Sequence, residues 1–204
     1  THAYDQAKDG YQTVLAIHKD QPDALYSLAY LANQDGQTDQ ARSLLFQLTQ
    51  AHVDHADGWH LLGRLAERQN HIPEAIAAYQ KAIASQSDHI PAHYDLGALY
   101  QFDKQPLKAI EHFDAITRLD PQQAEAQLSL GVLLAGNDQL DEAEQAYLKA
   151  LEIKPQLVEA HYNLGSFYEF QRKDTTRALT YYQEYLKLGG KDLRIQRLIT
   201  QVAP

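Results

Sequence analysis

Apolar residues recur along this chain at helical spacing, in a pattern that repeats every 34 residues. Within one period, Leu96 and Tyr100 are four positions apart, which places their side chains on the same face of a helix. A second apolar group follows Pro106, and proline is favoured in the first turn of a helix. The pattern therefore predicts two helices in each period, at about 92–103 and 106–118 in this one.

Rows of small residues keep the same period. The first row consists of Ala29, Gly63, Gly97, Gly131 and Gly165. The second row is alanine, namely Ala7, Ala41, Ala75, Ala109, Ala143 and the displaced Ala178, each followed four positions later by a large apolar residue. Small residues let two helix axes approach closely, and the large side chain fills the remaining space. Several rows that stay in phase identify a repeat protein.

The repeating residues resemble the motif of the tetratricopeptide repeat family. The motif is carried by Leu96-Gly97, Tyr100, Ala109, Phe113 and Pro121 in one copy, and by Trp59, Leu62, Gly63, Ala75 and Tyr79 in another. The resemblance extends over nearly the whole chain and implies an all-α fold. It implies a right-handed superhelix, an α-solenoid of antiparallel helix pairs, whose first helices line a concave groove.

The repeat register predicts a single superhelical domain over residues 1–204. Residues 1–21 supply only the second helix of a repeat, and full repeats follow at 22–55, 56–89, 90–123, 124–157 and 158–191, the last with one extra residue within 171–177. The apolar stripe Ile195, Leu198, Ile199 and Val202 predicts a capping helix at 192–204. Because the chain enters in the middle of a repeat, we expect it to be a fragment of a longer protein.

The first helices also carry apolar and aromatic residues opposite their core-facing side. The predicted partner-binding residues are Tyr26, Tyr30, His60, Arg64, Tyr94, Ala98, Phe102, Leu128, Val132, Tyr162, Ser166 and Phe170. Exposed aromatic side chains are typical anchors of protein interfaces. The pattern therefore favours a protein–protein interaction module or scaffold that binds a peptide or helix of a partner. For any one of these residues, sideways packing against a neighbouring helix is the alternative.

Charge narrows the class of partner. The formal net charge of −9 argues against nucleic acid, and no apolar run is long enough to insert into a membrane. Four first helices open with a carboxylate: Asp23, Asp57, Glu125 and Glu159. Carboxylates are favoured there by the helix dipole, and they also predict a neutral or basic protein partner rather than an acidic one.

The sequence contains no pattern typical of an enzyme. It has no cysteine, no glycine-rich phosphate loop and no serine nucleophile motif, so we predict no catalytic residues and no cofactor. The closest group of histidines is His52, His55 and His60, with Asp54 and Asp57 nearby. Because loop spacing alone does not bring metal ligands together, we interpret these as surface histidines and predict no metal site.

Two other functions stay open. The array could be a structural scaffold that self-assembles into a homo-oligomer through its incomplete N-terminal end, where Tyr4, Ala7, Tyr11 and Val14 lie. It could instead be a regulatory or targeting segment attached to a catalytic domain outside this chain. The composition looks bacterial, and both cytoplasm and periplasm fit, because the start at Thr1 is compatible with a removed targeting segment.

Overall fold

The protein is all α-helical in its computed structural model, which describes residues 2–202 and the side chains of residues 5–201. The helices are α1 His2–Ile17, α2 Pro22–Gln34, α3 Thr38–Ala51, α4 Ala56–Arg68, α5 Ile72–Ser85, α6 Ile90–Phe102, α7 Pro106–Leu119, α8 Ala124–Gly136, α9 Leu140–Ile153, α10 Val158–Phe167, α11 Thr175–Lys187 and α12 Leu193–Val202. From α2 to α11 the even-numbered helices are the first helices of the repeats and the odd-numbered ones the second. The predicted fold class of paired helices is confirmed.

The turns between the two helices of the repeats share one backbone feature. One residue in each turn has a left-handed backbone conformation: Gly36, Asn70, Lys104, Asp138 and Lys173. In the first four copies the next N–H bonds a carbonyl five residues back, as from Gln139 to Leu134 at 2.9 Å, and in the last copy the bond spans six residues. This bond satisfies an otherwise unpaired carbonyl at the helix end. Only Gly36 adopts the left-handed conformation without the steric cost of a Cβ.

The last repeat takes up its extra residue in a π-helical turn, Tyr168–Arg172, directly after α10. The N–H of Asp174 bonds the carbonyl of Tyr168 at 2.9 Å and closes the turn. The sequence predicts a connection with one more residue at this place, and the structure adds that the residue widens the helix end. Single π-helical turns accommodate such insertions within helices.

Close contact between a glycine and a tyrosine holds the two helices of a repeat together. A Cβ on Gly131 would lie 2.7 Å from the ring of Tyr147, and one on Gly165 would lie 2.5 Å from the ring of Tyr182. Both rings are buried, with Tyr182 fully so. The glycine row therefore marks the positions where the second helix rests its aromatic ring on the backbone of the first.

The chain divides into two compact units, with unit 1 ending at Leu99 and unit 2 beginning at Tyr100. Buried leucines dominate the core of unit 1, among them Leu25, Leu45, Leu48 and Leu65. The core of unit 2 includes buried aromatic rings, among them Phe113, Tyr147, Phe167 and Tyr182. Over residues 2–202, no helix combines the length and apolarity that a bilayer crossing requires.

Candidate functional site

The predicted partner-binding residues lie on the first helices, except that Phe170 lies in the π-helical turn directly after α10. The name first-helix stripe is used for the whole set here. Unit 1 contributes Tyr26, Tyr30, His60, Arg64, Tyr94 and Ala98, and unit 2 contributes Phe102, Leu128, Val132, Tyr162, Ser166 and Phe170. All of them are exposed or half-buried, and none is in a core. The structure thus leaves each of these side chains in contact with solvent.

Four aromatic members of the stripe are strongly exposed. Phe102 is 83% exposed, Phe170 52%, Tyr30 45% and Tyr94 43%. A large ring that stays this exposed to water contributes little hydrophobic free energy to folding. These rings are therefore the members of the stripe with the most apolar surface left to bury against a partner.

Three other members pack sideways, as the alternative interpretation expects. The ring of Tyr162 lies 5.4 Å from that of Tyr185, and the ring of Tyr26 lies 5.4 Å from the imidazole of His55. Leu128 packs against a buried cluster that includes Ala124. Burial, followed by the negative charge of Asp57, raises the pKa of Tyr26 above its ordinary value. These three side chains keep less exposed surface than the four strongly exposed rings, so they offer less area to a partner.

In unit 1 a chain of polar contacts surrounds His60. Its Nε2 donates to Asp95 Oδ2 at 2.8 Å, and its ring lies 5.1 Å from the ring of His89. His89 donates from Nε2 to Asp57 Oδ1 at 3.1 Å, and the N–H of Ala92 donates to its Nδ1 at 3.1 Å. These partners assign the proton of His89 to Nε2, and they make its imidazole the cap of the next first helix.

Neighbouring first helices in unit 1 are joined at a spacing of one repeat plus one residue. His60 and Asp95 are 35 positions apart, as are Asn33 and Arg68, whose Nη1 donates to Asn33 Oδ1 at 2.9 Å. Sequence analysis placed His60 in the stripe but missed its partners His89 and Asp95. Complementary residue types at this spacing are the signal that could have found Asp95.

At the end of unit 2, Phe170 lies beside an arginine of the last helix. The Arg194 guanidinium lies 5.5 Å from the Phe170 ring and donates to both carboxylate oxygens of Glu169 at 2.9 Å. It also donates to the hydroxyl of Tyr182 at 3.1 Å. Burial and the hydrogen bond to Glu169 raise the pKa of Tyr182 to about 12. The Arg194 cation therefore lies over the ring of Phe170, which stays 52% exposed.

Two of the four carboxylates at the helix starts are paired within the protein. Asp57 accepts the bond from His89, and Glu125 accepts one from Lys154 Nζ at 2.7 Å. The hydrogen bond from Lys154 lowers the pKa of Glu125. Lys154 thus offsets the negative charge of Glu125, whereas Asp57 only accepts a hydrogen bond from the imidazole of His89.

His52, His55 and His60 have separate structural contacts. His52 Nε2 donates to the carbonyl of Asp20 at 2.5 Å, while His55 Nδ1 accepts the N–H of Gly58 at 3.0 Å and caps α4. In the described part of the chain, no three histidine or carboxylate residues are grouped so that they could hold a metal ion.

One slot near the start of the first helices takes a ring whose nitrogen bonds a carbonyl six residues earlier. Trp59 Nε1 donates to Val53 at 2.8 Å, His93 Nε2 bonds Ser87 at 3.2 Å, and His161 Nε2 bonds Pro155 at 2.9 Å. The repeated bond explains why tryptophan and histidine both suit this position in three of the repeats.

Comparison with protein families agrees with this geometry. Family models described as tetratricopeptide repeat match residues 2–65, 56–89, 94–158 and 159–188. Together they cover most of the chain, and the chain belongs to the tetratricopeptide repeat family. Repeats of this family act in protein–protein interaction. Among curated proteins, no sequence matches this chain.

Solved structures share the fold at low sequence identity. YrrB, titled a TPR protein with an unusual peptide-binding site, matches with a TM-score of 0.80 and 19% identity over 94% of this chain and 98% of its own. A MamA structure matches with a TM-score of 0.73 and 21% identity over 82% of this chain and 91% of its own. The pilF protein of Pseudomonas aeruginosa matches with a TM-score of 0.69 and 20% identity over 96% of this chain and 82% of its own.

Proposed function

We propose that this protein binds a peptide or helix of a partner protein along its first-helix stripe. The observation that supports the proposal is the exposure of aromatic rings of the first-helix stripe, above all Phe102 at 83% on α6 and Phe170 at 52% in the turn after α10. Large rings that are exposed in the folded protein bury much surface area when a partner binds, and fixing them costs little side-chain conformational entropy. The match to YrrB, itself titled as having a peptide-binding site, agrees with this function.

The partner is expected to be neutral or basic and to present apolar side chains. Asp23 and Glu159 belong to the exposed starts of first helices, and the whole chain carries a net charge of −9. Like charges on an acidic partner would be repelled at low ionic strength. An apolar face of a helix, with lysine or arginine at its borders, fits this combination.

The test combines a pull-down from the source cell's lysate with a double variant, Tyr94→Ala with Phe102→Ala. Both side chains are exposed, so their removal leaves the helical circular dichroism signal unchanged. If these rings are anchors, each truncation costs about 1–2 kcal/mol or more, and the retained partner is lost or its affinity falls by at least about tenfold.

A matched control uses exposed apolar residues outside the stripe. Leu107 and Leu119 on the second helix α7 are 67% and 42% exposed, and Leu107→Ala with Leu119→Ala is expected to retain the partner. Retention of the same partner by the Tyr94→Ala/Phe102→Ala variant would reject the stripe as the binding site.

Self-assembly is the second candidate, supported by one specific feature of α1. Val14 is 37% exposed and Ile17 71% exposed, so this helix presents apolar surface of its own. Tyr4 lies outside the described side chains. Attachment of the chain to a catalytic domain is the third candidate, and the full gene sequence decides it.

A further inference from the structure

A pocket in unit 1 lies on a different surface from the first-helix stripe. It is a cavity of about 270 Å³ between the second helices α3 and α5, with α4 at its base, and Phe46, Trp59 and Lys81 are among its lining residues. Phe46 is 51% exposed. The cavity is smaller than the roughly 300–1,000 Å³ of small-molecule sites, so its size suits one or two side chains. The name Trp59 pocket is used for it here.

The equivalent place in unit 2 shows which features are special to the Trp59 pocket. Two repeats later, a cavity is lined by the corresponding residues, but Asp114 stands for Phe46 and Gln127 for Trp59. Lys149 stands for Lys81 and pairs with Glu152 at 2.8 Å. The repeat architecture therefore makes a depression at this place in both copies, and of these two the unit 1 copy is the one lined with aromatic rings.

In the last repeat, aromatic rings of the protein itself fill the equivalent depression. There Tyr168 stands for Ala66 and Tyr181 for Ala78, counting the extra residue, and the two rings stack at 5.5 Å between centroids. Tyr168 is 2% exposed, and its hydroxyl donates to Glu144 at 2.6 Å. The Trp59 pocket thus lacks aromatic rings that the same slot accommodates three repeats later.

Two cations, Lys81 and Arg42, line the Trp59 pocket together with Glu74. Among the described residues, neither cation forms an ion pair with a carboxylate. Lys81 Nζ lies 4.1 Å from the centre of the Trp59 ring, and Ala84 occupies the position of the Glu152 that pairs with Lys149. Arg42 stands where Glu144 receives the tyrosine hydroxyl, and it donates to the amide oxygen of Gln69. In the described residues, the carboxylate of the pocket is Glu74, which is 66% exposed and faces His71 at 3.7 Å.

We propose that the Trp59 pocket binds an aromatic side chain of a partner peptide whose neighbouring residues are acidic. The ring occupies the space that Ala66 and Ala78 leave open, against Phe46 and Trp59. The acidic neighbours pair with Lys81 and Arg42, whose charges are otherwise unpaired by carboxylates. Aromatic contact and charge pairing act together here, as they do in many interface hot spots. This surface is independent of the first-helix stripe and selects the opposite charge.

The protein carries its own reporter for the test, because Trp59 is its single tryptophan. A short peptide with a central Phe flanked on both sides by Asp is titrated while tryptophan fluorescence is recorded, since Phe and Asp contribute no overlapping emission. We expect a saturable change in the Trp59 signal. The same peptide with Ala for Phe, or with Lys for Asp, is expected to bind at least about tenfold more weakly.

Variants locate the binding. Phe46→Ala and Lys81→Glu are each expected to lower the affinity for the acidic aromatic peptide by at least about tenfold. Asp114→Ala in the unit 2 counterpart should leave this affinity unchanged. Ala66→Tyr fills the pocket in the manner of Tyr168 and should abolish the fluorescence change while retaining helical circular dichroism. The stripe variant Tyr94→Ala/Phe102→Ala should still bind this peptide, which separates this proposal from the proposed function.

Three results would overturn the proposal. Equal affinities of the Asp-flanked and Lys-flanked peptides would show that charge pairing does not contribute to binding. Equal affinities of the Phe and Ala peptides would show that the aromatic contact does not contribute. A protein that dimerises without peptide, and loses the dimer on Phe46→Ala, would assign the pocket to a second copy of the chain instead.

Discussion

A single methyl group at Gly131 is expected to disturb the packing of a whole repeat. In Gly131→Ala the new Cβ would lie 2.7 Å from the ring of Tyr147, which is 4% exposed and held among core residues. Overpacking of this kind costs about 1–3 kcal/mol, against a gain of about 1 kcal/mol in helix propensity. We therefore expect a net loss in the free energy of unfolding, measured by urea denaturation.

Gly136 in the same helix provides the control. A Cβ there meets no atom within 4 Å, so Gly136→Ala should leave stability unchanged or raise it slightly. A Gly131→Ala variant as stable as Gly136→Ala would mean that the ring of Tyr147 moves aside freely, contrary to the close packing described above.

At the scale of elements, α12 contributes one fully buried side chain among those that the structure describes. Ile195 is fully buried, whereas Leu193 in the same helix is 66% exposed. Truncation of a buried isoleucine to alanine costs about 2–5 kcal/mol, which is large for a helix of ten residues at one end of unit 2. We expect Ile195→Ala to release α12 while the other helices stay folded.

Hydrogen exchange measures this release residue by residue. Amides of α12 should exchange much faster in Ile195→Ala than in the parent, since local unfolding then costs little free energy. Leu193→Ala is the matched control and should exchange as the parent does. If Ile195→Ala left the α12 amides protected, the Arg194 bonds to Glu169 and Tyr182 would have to hold the helix alone.

For the whole molecule, the open question is whether copies of the chain associate. If α1 mediates self-assembly, the mass measured by light scattering rises with concentration, and Ile17→Ser reverses the rise because the residue is 71% exposed and apolar. Leu107→Ser, at a similarly exposed position on α7, should leave the association intact. A monomer at every concentration would exclude this role for α1.

The hydrogen bonds between neighbouring first helices make the structure of each repeat depend on local contacts. The bonds between first helices, such as His60 to Asp95 and Arg68 to Asn33, span 35 positions. Each repeat therefore depends on its neighbours in sequence, which is the physical basis of the periodic pattern. The same locality allows one copy to carry a pocket that another fills with its own side chains.

The sequence by itself determined the helices, their pairing and the surface on which the first-helix stripe lies. The rows of glycine and alanine predict close helix contacts because larger side chains have no room there, and at Gly131 even a Cβ would lie 2.7 Å from the ring of Tyr147. Period and phase also predict which residues of a first helix face away from the core. These properties are local, since they depend on spacing within about one repeat.

Only the tertiary structure decided how much of each stripe residue stays exposed, and which polar groups meet. Tyr94 and Tyr162 occupy the same position of the pattern two repeats apart, yet Tyr94 is 43% exposed while Tyr162 is half-buried and packs on Tyr185. The sequence pattern also did not predict the Trp59 pocket, because the pocket is a space that the side chains of three helices leave unfilled. Packing depends on the sizes of neighbours from several elements, which a periodic pattern does not record.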